Sequence, residues 1–310
     1  DFGVTMTFRG LGTALITPFT DSGALDENAL ARFVDFQIDG GVDFLVPCGT
    51  TGENPALTAA EHRRVVELVV HQANGRVPVL AGAGSNNTAR AIELAEQAID
   101  IGAAGVLTIT PYYNKPTPDG LRRHFGIQAE AIEKKKAGFP MIMYNVPGRT
   151  GVNMTAETTL RMAAEIPNII GVKEASANLE QIMMVIRDRA NGFLVLSGDD
   201  AWTLALIGAG ADGLVSVASN EIPRLMSELV TAALRGDFAA ARAVHYRVLP
   251  LLTGNFMESN PIPVKTACKL LGILDSDTVR SPLAPISKTN REKLEAILRE
   301  CGLLESRPSS

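Results

Sequence analysis

Cysteine and histidine are scarce in this chain, and the shortage narrows its chemistry. The three cysteines, Cys48, Cys268 and Cys301, lie far apart with no CxxC pair. That is unlike a disulfide framework or a thiolate metal site, and it fits a reduced, cytoplasmic protein. The four histidines, His62, His71, His124 and His245, show no metal-ligand spacing, so no metal is expected. No apolar run approaches the roughly 20 residues that span a bilayer, so no membrane partner is expected. Basic residues do not dominate: 29 Lys and Arg face 34 Asp and Glu, for a net charge of −5. Without a basic stripe, nucleic acid is not an expected partner. "GAGSNN", Gly82 to Asn87, lacks the third glycine of a dinucleotide loop. The "DFGVT" before Met6 reads as a remnant ahead of the protein proper, and the terminal "SRPSS" as a frayed tail.

What remains is an ordinary globular composition, 46% hydrophobic over 310 residues, enough for one or two domains. Eight apolar runs of strand length alternate with helical-pattern segments. They are Gly12 to Phe19, Asp43 to Gly49, Pro78 to Gly84, Ala104 to Pro111, Pro140 to Pro147, Asn168 to Ser176, Phe193 to Asp200, and Gly213 to Asn220. Several are almost continuously apolar, as parallel strands covered on both faces are. Three helices approach their strand through glycine, at "DGGVDFLV", "DIGAAGVL" and "GAGADGLV", where a left-handed cap is expected. Eight such units predict a (β/α)8 TIM barrel over residues 10–225. The strand signal then stops, and residues 226–305 predict a C-terminal helical domain.

In such barrels the site is built where strands end, so the endings carry the functional reading. Lys173, in "GVKEAS", places an ammonium in an apolar strand. It is either a lysine whose stem packs inside while its charge pairs with Glu174 or an Asp, or a nucleophile that forms an imine with a carbonyl. Alternation forbids Lys173 and Glu174 from both facing inward. A free lysine has a pKa of about 10.4, so only about one in 2,500 is unprotonated at neutral pH, and burial favours the neutral amine. Tyr144 ends the preceding strand, as a proton carrier or a core tyrosine. Thr50 and Thr51, in "GTTGEN", read as a carboxylate-binding turn opening a helix or as a plain helix cap. Arg149, in "YNVPGRT", suits a carboxylate gripped by two hydrogen bonds or a surface ion pair. Of Tyr112 and Tyr113, adjacent on a strand, one is expected to serve the site and the other an interface or packing.

Taken together and in order, "GTTGE", "TPYYNKP", "YNVPGRT", "GVKEAS", "SGDD" and "NPIPVK" resemble the dihydrodipicolinate synthase family of pyruvate-dependent, Schiff-base-forming barrels, from about Gly10 into the C-terminal helices. The resemblance implies that Lys173 forms an imine with pyruvate, and that Thr50, Tyr144 and Tyr113 relay protons. It implies that Tyr113 is donated across a tight dimer interface, with homotetramers beyond the dimer. Thr51 would contact the pyruvate carboxylate and Arg149 the carboxylate of L-aspartate 4-semialdehyde, while Gly198 and Val215 would surround the imine. No cofactor is implied. Relatives that cleave sialic acid or keto-sugar acids generally lack the arginine of "YNVPGRT". Another keto-acid aldolase or lyase of this family is the alternative, and a catalytically silent barrel a further one. Lysine-inhibited members place a histidine and a glutamate in an allosteric pocket where this chain has Ala59 and Arg90, beside Asn54, His62, Asn86 and Tyr112. An added cation repels lysine, so weak or absent lysine inhibition is expected.

Overall fold

A computed structural model describes residues 7–305. "DFGVT" and "SRPSS" lie outside the described residues.

Each of the eight apolar runs holds a parallel strand, wholly for seven and in part for the first. In chain order these are β1 (Gly10–Ala14), β2 (Phe44–Val46), β3 (Leu80–Gly82), β4 (Gly105–Ile109), β5 (Met141–Asn145), β6 (Ile169–Glu174), β7 (Leu194–Ser197) and β8 (Gly213–Ser216). Between them come α1 (Glu27–Asp39), α2 (Ala59–Ala73), α3 (Thr88–Ile101), α4 (Pro118–Lys135), the single turn α5 (Pro147–Thr150), α6 (Ala156–Glu165), α7 (Leu179–Asp188), α8 (Thr203–Gly208) and α9 (Pro223–Leu234). The chain ends in α10 (Phe238–Gly254), α11 (Ile262–Leu270) and α12 (Lys288–Glu300).

The strands follow the order β2-β1-β8-β7-β6-β5-β4-β3. A parallel bridge from Leu45 to Val79 closes the ring, with Leu45 N donating to Pro78 O at 3.1 Å and Gly82 N to Pro47 O at 2.9 Å. The result is the expected (β/α)8 barrel.

β1 starts two residues earlier than the apolar run predicted, because Gly10 makes room for a carboxylate. Leu11 N donates to Asp43 Oδ2 at 2.7 Å, and a Cβ on Gly10 would fall 2.1 Å from that oxygen. The three glycine-rich helix ends behave as expected: Gly41, Gly102 and Gly210 all have positive φ, where L side chains are disfavoured.

Alternation along the strands sorts two cores. Phe8, Phe44, Leu80, Ile142, Leu196 and Val215 fill the barrel interior, with Phe8 and Phe44 edge to face at 5.6 Å. The larger core lies between the sheet and the helices. The expected domain boundary at 225/226 lies within α9, which packs on β1 and β8 as the eighth barrel helix. Beyond it, α11 lies against the turn after β8, at the C-terminal rim of the barrel.

Candidate active site

Lys173 pairs in register with Tyr144 of β5 and Leu196 of β7. Its side chain points into the barrel, 6% exposed, with Nζ 4.1 Å from the centroid of the Tyr144 ring. Among the described residues no carboxylate reaches Lys173, so the ion-paired reading of this lysine falls away. Glu174 points the other way, as alternation requires. Its carboxylate accepts from Asn145 Nδ2 at 3.2 Å, Ser176 N at 2.9 Å and Gln181 Nε2 at 3.3 Å. Burial raises its pKa, and these donors oppose the rise. The network fixes the end of β6 from outside the barrel.

Two small positions shape the space around the lysine. A Cβ on Gly198 would lie 3.1 Å from Lys173 Cε and 2.7 Å from Ala175 Cβ. Val215 is buried inside the barrel, its backbone paired with Gly12.

A cavity of about 220 Å³ opens at the rim, lined by Thr50, Asn54, Tyr112, Tyr144 and Arg149 among others. Lys173 touches this cavity's wall through Tyr144, whose ring it contacts. Cys48 also faces this cavity, but burial pushes its thiol far above the ordinary range, so it stays protonated and is no nucleophile. Arg149 follows the end of β5. It belongs to α5, which Pro147 opens at its first position, and its guanidinium is exposed with no ion-pair partner among the described residues.

The turn at Gly49 to Glu53 departs from expectation. It opens no long helix: Gly52 N donates to Gly49 O and Glu53 N to Thr50 O, each at 3.1 Å, and Thr17 Oγ1 donates to Gly52 O at 2.7 Å. A short 3-10 turn, Asn54–Ala56, follows. The start of α2 is fixed further on by a capping box, in which Thr58 accepts from Glu61 N and Glu61 accepts from Thr58 N at 2.9 Å. Thr50 and Thr51 are therefore not helix caps, and the dipole of α2 does not act at them.

What holds this turn comes from the other end of the chain, and sequence reasoning missed it. Glu53 and Lys265 form an ion pair at 2.5 Å with both side chains 1% exposed. Lys265 Nζ also donates to Thr278 O at 2.8 Å and stands 4.1 Å over the Phe19 ring. The second Glu53 oxygen accepts from Arg280 N at 2.9 Å, and Arg280 forks onto Glu61 at 2.8 and 2.6 Å. That fork pulls the Glu61 carboxyl down to about 2. Asn260 Nδ2 donates to Thr51 Oγ1 at 2.8 Å. Asn260 and Lys265 both belong to "NPIPVK", so the motif was visible but its partners were not.

The remaining candidates sit around the rim. Tyr112 and Tyr113 lie in the loop after β4 rather than on a strand. Tyr112 lines the cavity, whereas Tyr113 is 89% exposed with φ of 72°, an uncommon backbone state for a bulky residue. His62 is buried with Nε2 2.9 Å from Gly82 O. Burial lowers its pKa, and the Arg90 charge adds to the lowering. Arg90 pairs with Glu93 at 2.8 Å. Asn86 O accepts from Asn114 Nδ2 at 3.0 Å, and Ala59 is exposed at the first turn of α2. Among the described residues no helix is long and apolar enough to cross a membrane.

Comparison with known proteins agrees with this geometry. Residues 7–301 match the model of the dihydrodipicolinate synthetase family. The chain is 50% identical over 302 residues to a 4-hydroxy-tetrahydrodipicolinate synthase of Koribacter versatilis, covering 97% of this chain and 98% of the relative. It resembles the crystal structure of dihydrodipicolinate synthase from Aquifex aeolicus with a TM-score of 0.91 at 43% identity, covering 96% and 99% of the two chains. It is equally close, with a TM-score of 0.91 at 41% identity over 97% and 99%, to a dihydrodipicolinate synthase variant described as monomeric. A buried lysine facing a tyrosine in a (β/α)8 barrel, in a chain whose residues 7–301 match the family model, leaves one assignment: the chain belongs to the dihydrodipicolinate synthetase family.

Proposed function

We propose that the chain condenses pyruvate with L-aspartate 4-semialdehyde to form 4-hydroxy-tetrahydrodipicolinate, the diaminopimelate-route step towards lysine. The observation that carries the reading is an unpaired, buried Lys173 against Tyr144, beside a cavity that also presents Arg149. The Lys173 amine adds to the pyruvate ketone, and loss of water leaves an imine. A methyl proton then departs, and the enamine attacks the aldehyde carbon of the semialdehyde. Finally the amine of the second substrate attacks the imine carbon, closes the ring and releases the lysine. Thr50 and Tyr144, with Tyr113 of a second copy, carry the protons. Thr51 holds the pyruvate carboxylate, and the unpaired fork of Arg149 holds that of the semialdehyde. Gly198 and Val215 leave room for the imine.

The high exposure of Tyr113 fits a residue handed to a neighbouring copy, so the working unit is at least a dimer, and a tetramer in the fuller assembly. The enzyme acts in the cytoplasm. Borohydride reduction with pyruvate, followed by peptide mapping, tests the assignment. An adduct on Lys173 is expected, and its absence or its appearance elsewhere overturns the mechanism. Arg149→Ala should keep the adduct and lose condensation with the semialdehyde. Full condensation activity in that variant would refute the role assigned to Arg149.

A further inference from the structure

Thr51 is 3% exposed, and its one side-chain hydrogen bond among the described residues comes from Asn260, 209 positions away. The direction of that bond has a chemical consequence. A threonine hydroxyl has one proton to give and two lone pairs to accept with. With Asn260 Nδ2 donating into Thr51 Oγ1, one lone pair is used and the hydroxyl proton is left to donate elsewhere. A hydroxyl aimed as a donor is what a carboxylate requires, since an ionised carboxylate only accepts.

The surroundings make this bond a directed one. Asn260 is itself buried, and the amide atom that meets Thr51 is Nδ2, a donor, at 2.8 Å. Asn260 stands at the entry to α11, whose Lys265 is locked onto Glu53 at 2.5 Å. Glu53 is two residues after Thr51 and adopts a left-handed backbone with φ of 53°. One helix therefore grips the turn at two points: Lys265 holds its frame, and Asn260 sets the rotation of its hydroxyl.

We propose that Asn260 is a positioning residue for carboxylate binding, acting through Thr51 by leaving the Thr51 hydroxyl proton free to donate. The inference rests on the reading of Thr51 as the pyruvate-carboxylate contact. It makes the C-terminal helical segment a working part of the site and not only a covering of the barrel.

Asn260→Asp is the discriminating substitution. It preserves size, but its ionised carboxylate accepts and cannot donate, so the Thr51 proton turns back onto residue 260. The pyruvate KM should then rise on the order of 10- to 100-fold, the range of one charge-assisted hydrogen bond. The semialdehyde KM should move little, whereas a buried carboxylate lowers the thermal midpoint by itself, so the midpoint is measured alongside and read only together with the split between the two KM values. Trapping of the Lys173 adduct, titrated against pyruvate, should shift by the same factor as KM. A folded variant with a wild-type pyruvate KM overturns the proposal. So does equal loss for both substrates with a lowered midpoint, which would mark Asn260 as structural only. If wild-type protein traps no pyruvate at all, the synthase reading itself has failed and this inference goes with it. Wild-type trapping with an indifferent Asn260→Asp rejects the inference alone.

Discussion

The ammonium of Lys173 stands 4.1 Å from the centre of the Tyr144 ring, and the two residues are direct register partners on adjacent strands. A cation over the electron-rich face of a tyrosine is held without a counter-charge. The lysine is buried against that ring, and among the described residues no carboxylate pairs with it. Tyr144 also lines the cavity. In the proposed mechanism this one side chain packs against the nucleophile and carries its protons.

Tyr144→Phe separates these roles. The ring and its packing remain, so the Lys173 adduct with pyruvate should still form. Turnover should fall by about 10²- to 10⁴-fold, the usual contribution of a general acid–base group. Single-turnover adduct formation compared with steady-state condensation checks this. Equal loss in both measurements would show that the hydroxyl is already needed for imine formation and would overturn this separation of roles.

Lys265→Met leaves Glu53 buried beside an apolar chain, with its Arg280 backbone contact as the remaining donor. Breaking a buried pair from one side costs about 3–5 kcal/mol, whereas removing both charges is far milder. Lys265→Met should therefore lower stability in urea unfolding, and Glu53→Gln combined with it should recover much of the loss. An additive double variant would show that the pair is not coupled.

His124 carries a pH dependence with a definite sign. Burial lowers its pKa from 6.5 to about 4, and its Nδ1 lies 2.9 Å from Thr88 Oγ1 while Nε2 is buried without a partner. Between those two pH values the unfolded chain takes up a proton that the folded chain refuses, so stability falls as the solution is acidified. The contribution is on the order of 2–3 kcal/mol. Asp200 acts in the opposite direction: burial raises it from 3.8 to about 6, which favours the folded state on acidification. Comparison with His124→Gln isolates the histidine. The stability of wild type minus that of the variant should shrink as pH drops from 7 to 4.5, and parallel curves would refute the assignment.

Lysine should inhibit weakly or not at all. Arg90 stands close enough to His62 for its charge to lower that residue's pKa, even with Glu93 paired to it. An incoming diamino acid meets like charge there. Steady-state assays across sub-millimolar lysine check this directly, and clear inhibition in that range would contradict it.

The strands and their endings could be read from the chain because they follow local rules. Apolar runs of strand length, bounded by Gly and Pro, mark buried parallel strands. Alternation alone separated Lys173 from Glu174, and the structure places them on opposite faces of β6. The helix ends at Gly41, Gly102 and Gly210 followed from the left-handed backbone that glycine tolerates.

Other features depend on which distant segments meet. The turn at Thr50 and Thr51 looked like a helix start because a hydroxyl beside glycine has that local signature. The true start lies at Thr58, where a glutamate three residues on completes the capping box. Which of Tyr112 and Tyr113 faces the cavity turned on the path of a loop whose backbone bends through positive φ. The grip of α11 on the turn joins Asn260 to Thr51 across 209 positions and Lys265 to Glu53 across 212. Contacts at such separations leave no periodicity in the amino-acid order, since they exist only once the barrel has closed and carried its last helices back over the end of β2.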